Sequence, residues 1–360
     1  MAKATDTDTA GGSKIAVPAP ALPAMLAKRI PASVGYARRK MGEELNANNN
    51  QVTEIWDTTI LMLTERHNKK PDTVRKRNVM LYGPTGTGKT ELVLEFCAKT
   101  NKPLVTVMPA MRPEHLVGQF IEDAEGKLVF QKGALWMACE IGNCVIYFDE
   151  INRLHEDVVP MLYPLLDRRR QLFIYEHGIK AIRRSTGEYL PTFDPSDPDQ
   201  ERWEGEVVVD LPADVLIMAS YNPGYAGTNQ LNEAIRNRFE VSLEMDYSEE
   251  VEAKIIQTEA IRKIGADLRN ASLHQGQITT PVSTNQLRAL EENIKIFGLN
   301  SAISMFFNFF EGEDERRIVR DVVNTKYLDK LRVAFGYLQP KTTAKAGNVR
   351  AKAGNVRNRP

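Results

Sequence analysis

"VMLYGPTGTGKTELVLEF", residues 79–96, is the stretch whose reading decides the fold. Its first four residues are apolar or aromatic, as in a short buried strand. Gly83 to Thr90 then follow the order G-x-x-x-x-G-K-T, and from Lys89 the pattern turns helical. Glycines at 83, 86 and 88 allow a tight loop whose successive N–H groups face one anion. A helix beginning at Lys89 adds the positive end of its dipole. The strand before and the helix after are the context that a phosphate cradle requires. On this reading Gly83, Pro84, Thr85, Gly86, Thr87, Gly88, Lys89 and Thr90 hold a nucleotide's phosphates. Lys89 reaches the β and γ groups, and the Thr90 hydroxyl is a magnesium ligand.

A second stretch supplies the counterpart. In "CVIYFDEINRL", Cys144 to Leu154, an apolar run ends on two adjacent carboxylates, Asp149 and Glu150. Ligands of parallel α/β sheets bind at the carboxyl ends of the strands, so the two acids are expected beside Lys89. Asp149 then helps hold the metal, and Glu150 orients and polarises an attacking water. "VLIMASYNPG" puts Asn222 past another apolar run, where its amide can sense a γ-phosphate; Asn-Pro-Gly is also ordinary turn chemistry. "LNEAIRNRFE" ends a short helix on Arg236 and Arg238. These are either a basic helix C-terminus or arginine fingers reaching a neighbouring subunit's nucleotide, with Arg238 preferred.

Outward from these motifs, apolar runs alternate with helical stretches, the pattern of a parallel sheet with crossover helices. Strands are expected at Val79–Tyr82, Leu104–Val107, Val145–Phe148, Val215–Ala219 and Phe239–Leu243. Helices are expected near Lys89–Lys99, Gly133–Ile141, Val158–Leu166 and Asn232–Arg236. "IEDAEGKLVFQKG" reads as a hairpin, and Leu172–Val209 as a second one with an acidic, proline-rich tip. Upstream, a short helix is expected at Ala24–Arg29 and another from about Val52 to His67. Residues 1–33 read as a flexible arm, 34–246 as an α/β nucleotide-binding core and 247–338 as a small all-helical domain. Residues 339–360 form a basic low-complexity tail in which "AKAGNVR" (344–350) is repeated at 351–357.

Taken in order, "GPTGTGKT", "EHLVGQF", "FQKGALWMACEIGNCVIYFDEINRL", "VVPMLYPLLDRRR", "VLIMASYNPG" and "LNEAIRNRFE" resemble the AAA+ ATPases, specifically the MoxR-type group. "SYNPGY" leans toward the branch that activates metalloenzymes or assists gas-vesicle assembly with von Willebrand factor A-domain partners. The resemblance is strong over residues 75–245 and weak over 246–335. It implies a P-loop NTPase core with a five-stranded parallel sheet in the order 5-1-4-3-2, a helical lid, and a hexameric homo-oligomeric ring with ATP and Mg²⁺ at its interfaces. It also places inserted hairpins near 119–132 and 172–211. The group carries a second-sensor arginine at the start of the first lid helix. Here that position holds Asn285, and Arg288 lies almost one turn on, where it can substitute.

The leading expectation is therefore an ATP hydrolase that remodels or activates a protein client. Two alternatives are a DNA-acting motor of a phage or mobile element and a nucleotide-gated assembly scaffold. The tail motivates the DNA reading, with six basic residues and no acid from Lys341 to Arg359. With 47 basic and 47 acidic residues, the formal net charge is zero, so no global field draws the chain to nucleic acid or membrane. Cys97, Cys139 and Cys144 have no ligand spacing, His115 reads as a structural or loop residue, and Phe306–Phe310 as packing of the helical domain. No apolar run reaches membrane-spanning length, so a soluble, cytoplasmic protein without a membrane partner is expected.

Overall fold

The computed structural model describes residues 29–45, 52–71, 73, 75–122, 128–174, 180–184, 189–190, 196–204, 207–223, 231–275 and 278–338. The expected helix at Ala24–Arg29, all but its last residue, and the repeated tail lie outside these residues. The chain divides into two compact units, with the boundary between Lys254 and Ile255.

The first unit opens with a hairpin of β1 (Lys40–Leu45) and β2 (Val52–Trp56), followed by helix α1 (Asp57–Lys69). This corrects the helix expected from Val52. Residues 52–56 are strand because β-branched Val52, Thr53 and Ile55 pair with Lys40–Leu45, and the helix starts only at Asp57. The chain continues through β3 (Val79–Tyr82), α2 (Lys89–Thr100), β4 (Leu104–Val107) and the short α3 (Pro113–Leu116). A hairpin, β5 (Gly118–Glu122) with β6 (Leu128–Lys132), lies where one was expected. After it come α4 (Ala134–Ile141), β7 (Val145–Phe148) and α5 (Val159–Leu166).

The second insertion is more elaborate than one hairpin. β8 (Gln171–Ile174) pairs with the returning strand Val207–Asp210, and between them β9 (Lys180–Arg184), β10 (Tyr189–Leu190) and β11 (Gln200–Glu204) make a separate three-stranded sheet. The returning strand is β12. The unit closes with β13 (Leu216–Tyr221), α6 (Glu233–Arg236), β14 (Val241–Glu244) and α7 (Glu249–Ile255). The last strand starts two residues later than expected, because Phe239 is a buried residue of the turn before it.

The central sheet is parallel throughout, in the order β14-β3-β13-β7-β4, the expected 5-1-4-3-2. Its strands bury both faces by alternation. Val79, Leu81, Val145, Tyr147, Leu216 and Met218 face one way, against Leu61 of α1 and Leu92, Val93 and Phe96 of α2. Met80, Ile146, Phe148, Ile217 and Ala219 face the other way, against Leu116, Leu135 and Leu162 of α3, α4 and α5. Three neighbouring strands, β3, β13 and β7, thus deliver Gly83, Asn222 and Asp149 to one edge.

The second unit is helical among its described residues: α8 (Glu259–Gln275), α9 (Thr284–Phe297), α10 (Leu299–Phe307), α11 (Glu313–Val322) and α12 (Leu328–Ala334), the last preceded by a π turn at Val323–Tyr327. Ser283 and Gln286 cap α9 reciprocally. Ile264, Leu268, Leu287, Ile294, Phe306 and Phe310 are among its core residues. Of the four phenylalanines in Phe306–Phe310, Phe309 is exposed and the other three are buried. No helix of the described residues is long and apolar enough to cross a membrane.

Candidate functional site

The glycine loop sits between β3 and α2, and its carbonyls are all but spoken for. Lys89 is buried, and its Nζ donates to the Gly83 and Pro84 carbonyls at 2.9 and 2.6 Å. The Tyr247 hydroxyl donates to the Thr85 carbonyl at 2.7 Å. Arg39 Nη2 donates to the Thr87 carbonyl at 2.9 Å, while its Nη1 holds the Asp246 carbonyl. In a planar trans peptide the C=O and the following N–H point in opposite directions. Fixing the Thr85 and Thr87 carbonyls therefore turns the amides of Gly86 and Gly88 the other way. Neither of those amides has an acceptor among the described residues, and they fit a phosphate oxygen.

All three loop glycines are required by geometry, Gly86 by its φ of +69°. A Cβ on Gly83 would run into the Met245 carbonyl, and Gly88 has φ +87°, in the left-handed region. Gly88 also lies against Tyr36. The Tyr36 hydroxyl donates to Asp57 Oδ2 at 2.7 Å, and the same oxygen accepts from the Arg39 backbone N–H at 3.1 Å. Burial raises the pKa of both Tyr36 and Asp57. Ser33 Oγ and the Val34 N–H donate to Glu95 Oε2 on α2, and the Leu104 N–H donates to the Arg29 carbonyl. Residues 29–33, expected at the end of a flexible arm, are thus bonded to the core.

The acids meet the loop. Burial pushes the Lys89 ammonium down to about 8, while the charges of Asp149 and Glu150 pull it up and that of Arg39 pushes it down. The Tyr147 hydroxyl lies 3.2 Å from Thr90 Oγ1 and 3.1 Å from Asp149 Oδ1, joining the two expected metal ligands. Ser220 Oγ donates to Asp149 Oδ1 at 2.8 Å and accepts from the Glu150 N–H at the same distance. Glu150 has φ +50°, uncommon for a side-chain-bearing residue. Its Oε1 accepts from Asn222 Nδ2 at 2.7 Å and its Oε2 faces Arg153 Nε at 3.4 Å. Asn222 is buried, and its Oδ1 has no partner. This orphaned acceptor, with the free Gly86 and Gly88 amides, is what a site shaped around a polar ligand leaves. The hydroxyl of Thr90 and the carboxylate of Asp149 are hard oxygen donors suited to magnesium, which takes few protein ligands and completes its shell with water and phosphate. No cluster of three histidine, cysteine or carboxylate side chains able to hold a metal occurs among the described residues.

Lys89, Thr90, Asp149, Glu150 and Asn222 therefore come together. Arg236 and Arg238 do not join them. Arg236 is exposed, whereas Arg238 lies over the Tyr163 ring, 5.0 Å from its centroid, and donates to the Ala234 carbonyl. Arg288 belongs to the second unit, exposed on α9 and 3.7 Å from Glu292; Asn285 is exposed on the same helix. His115 lies within α3, where its Nδ1 accepts from the Arg112 N–H and caps that helix, a structural role. The three cysteines are buried and free, their thiols pushed up by burial to about 12. Sequence reasoning missed Tyr147, Ser220, Arg39 and Tyr247. The first two had a signal, a hydroxyl inside an otherwise apolar strand run.

Residues 78–239 match the family model described as AAA domain (dynein-related subfamily). The chain is 28% identical over 270 residues to an uncharacterized protein of Staphylococcus haemolyticus, covering 70% of this chain and 91% of that one. An uncharacterized protein of Staphylococcus aureus is 29% identical over the same length and shares. A third, from Staphylococcus epidermidis, is 31% identical over 234 residues, 59% of this chain and 75% of the relative.

Proposed function

Because the chain belongs to the AAA domain family, dynein-related subfamily, we propose that it is a magnesium-dependent ATP hydrolase of the MoxR type. On this reading it works as a homo-oligomeric ring, expected to be a hexamer, and spends turnover on remodelling or activating a protein client. A von Willebrand factor A-domain partner fits the "SYNPGY" resemblance. The observation that carries the hydrolase reading is the joining of Thr90 to Asp149 through Tyr147, with Glu150 and Asn222 bonded to each other beside them.

Thr90 and Asp149 would hold the magnesium, which when bound offsets charge on the phosphate oxygens. The chain's own groups do the rest. The amides of Gly86 and Gly88 and the ammonium of Lys89 bind and orient the phosphates, Lys89 exchanging its loop carbonyls for them. Glu150 accepts the proton of the attacking water. Asn222, bonded to Glu150 through its Nδ2, couples the position of that carboxylate to the nucleotide's end. Arg238 of one subunit stabilises charge on the nucleotide of the next.

The test is a pair of variants. Lys89→Ala is expected to abolish Mg·ATP binding in calorimetry, and Glu150→Gln to bind ATP while phosphate release falls by about a hundredfold or more. Wild-type hydrolysis by Glu150→Gln would remove the assignment of the base.

A further inference from the structure

Asn78 is fully buried and immediately precedes β3. Its Nδ2 donates to two carbonyls, those of Leu166 and Arg238, at 2.8 Å each. Leu166 ends α5, and Arg238 lies just past α6. The Asn78 backbone N–H donates to Glu240 Oε2 at 3.1 Å, and the other oxygen of that carboxylate accepts from Arg75 Nε at 2.7 Å. One side chain thus staples three separate segments of chain together.

The stapled segments line a cavity of about 300 Å³ with an excess of positive charge: Arg75, Lys76, Arg168 and Arg238 against Asp167 and Glu240. The four cations are not equivalent. Arg75 is paired with Glu240, and Lys76 Nζ is committed to the Asn68 and Lys70 carbonyls. Arg238 is braced on Tyr163 and donates through Nη1 to the Ala234 carbonyl, while its Nη2 has no acceptor among the described residues. Arg168 is exposed and makes no hydrogen bond or ion pair among the described residues. Two guanidinium groups therefore have donors to spare, and both belong to segments that Asn78 fixes.

We propose that Asn78 is the positioning residue of an anion half-site, made by Arg238 and Arg168, for the terminal phosphate of a nucleoside triphosphate held by a neighbouring copy of the chain. This rests on the ring reading above. β3 gives the proposal its geometry. The half-site lies at the amino end of that strand and the glycine loop at its carboxyl end, so four extended residues, about 13 Å, separate what a subunit lends from what it receives. A guanidinium moves with its backbone, and a displacement of about 1 Å can cost a hundredfold in rate. Releasing the Arg238 carbonyl should therefore damage the lending function while leaving the receiving function intact.

Subunit mixing tests this on the full-length protein. Asn78→Ala is expected to bind Mg·ATP with wild-type affinity and to lose at least tenfold in turnover, a loss in kcat without one in KM. Mixed with Lys89→Ala, which cannot bind nucleotide but keeps its arginines, it should regain about a quarter of wild-type turnover from interfaces formed at random. Arg238→Ala mixed with Lys89→Ala is the parallel control. Recovery in the control but none with Asn78→Ala overturns the role of Asn78. No recovery in either overturns the ring reading itself. Weakened nucleotide binding by Asn78→Ala overturns the proposal by making Asn78 part of the cradle's scaffold. Should Asn78→Ala fail to fold, Asn78→Ser, which keeps one donor, is put through the same mixing and judged by the same outcomes.

Discussion

Replacing Arg39 by alanine separates a cradle that holds its own shape from one held by its surroundings. Arg39 is 7% exposed, and its guanidinium supplies donors to the Thr87 and Asp246 carbonyls. A hydrogen bond from a charged donor is worth about 1.5–3 kcal/mol net, so two of them set a ceiling of about 3–6 kcal/mol. The buried Nε without a partner and the desolvation of the guanidinium argue for the lower end, about 3 kcal/mol. For a unit of this size that lowers the melting temperature by about 6–12 °C. If half of the loss falls on the loop, the Gly88 amide is no longer held toward the phosphates and affinity for Mg·ATP drops about tenfold. Scanning calorimetry and titration calorimetry on Arg39→Ala read the two numbers, and Arg39→Lys, with its charge kept and its fork lost, should fall between. An Arg39→Ala protein that melts within about 1 °C of wild type and binds Mg·ATP within about twofold refutes the reasoning, since the loop would then carry its own conformation.

Tyr147→Phe removes the hydroxyl that joins Thr90 to Asp149. It should raise the magnesium concentration for half-maximal hydrolysis by about three- to tenfold, the equivalent of one hydrogen bond, while nucleotide binding in chelator stays unchanged; an unaltered magnesium requirement counts against the bridge. Glu95 gives a pH dependence. The Ser33 hydroxyl, with Lys99, holds its carboxyl at about 2 instead of the ordinary 4.5. A depressed carboxyl contributes stability that is fully present above pH 4.5 and is lost as pH falls toward 2. Discounted for solvent near Lys99, the contribution is about 1–2 kcal/mol. Acid unfolding of Ser33→Ala should show most of this dependence gone between those limits, and superimposable wild-type and variant curves would sink the assignment.

Local patterns made the sheet legible. β3, β7 and β13 each announce themselves as an apolar run ending on a loop residue with chemistry to do, Gly83, Asp149 or Asn222. The hairpin of β1 and β2 was not legible, because Ile55, Ile60, Leu61 and Leu63 fit a loose helical spacing. Only pairing with Lys40–Leu45, which no periodicity within residues 52–67 records, makes Val52–Trp56 a strand. The same division runs through the site. The glycine loop and the acid doublet are contiguous motifs and can be read directly. The groups that aim them come from afar: Arg39 from a polar segment 50 residues before Lys89, and Tyr247 from beyond the last strand. Nothing in "YARRK" sets the second arginine apart from its neighbours until the Thr87 carbonyl is beside it.

The two arginines of "IRNRF" show why spacing alone could rank but not explain. Both flank the end of α6, and a helix terminus treats two nearby cations alike. Packing separates them. Arg236 is left in solvent, where ordering a long side chain to meet a phosphate costs about 2 kcal/mol of rotamer freedom. Arg238 has met that cost within its own chain, against Tyr163 and the Ala234 carbonyl, with its backbone carbonyl stapled by Asn78. A guanidinium ordered before its ligand arrives loses less on binding. Tyr163→Ala should therefore slow turnover in the same direction as Asn78→Ala, and the double variant should fall well short of the sum of the two, because both changes loosen the same group.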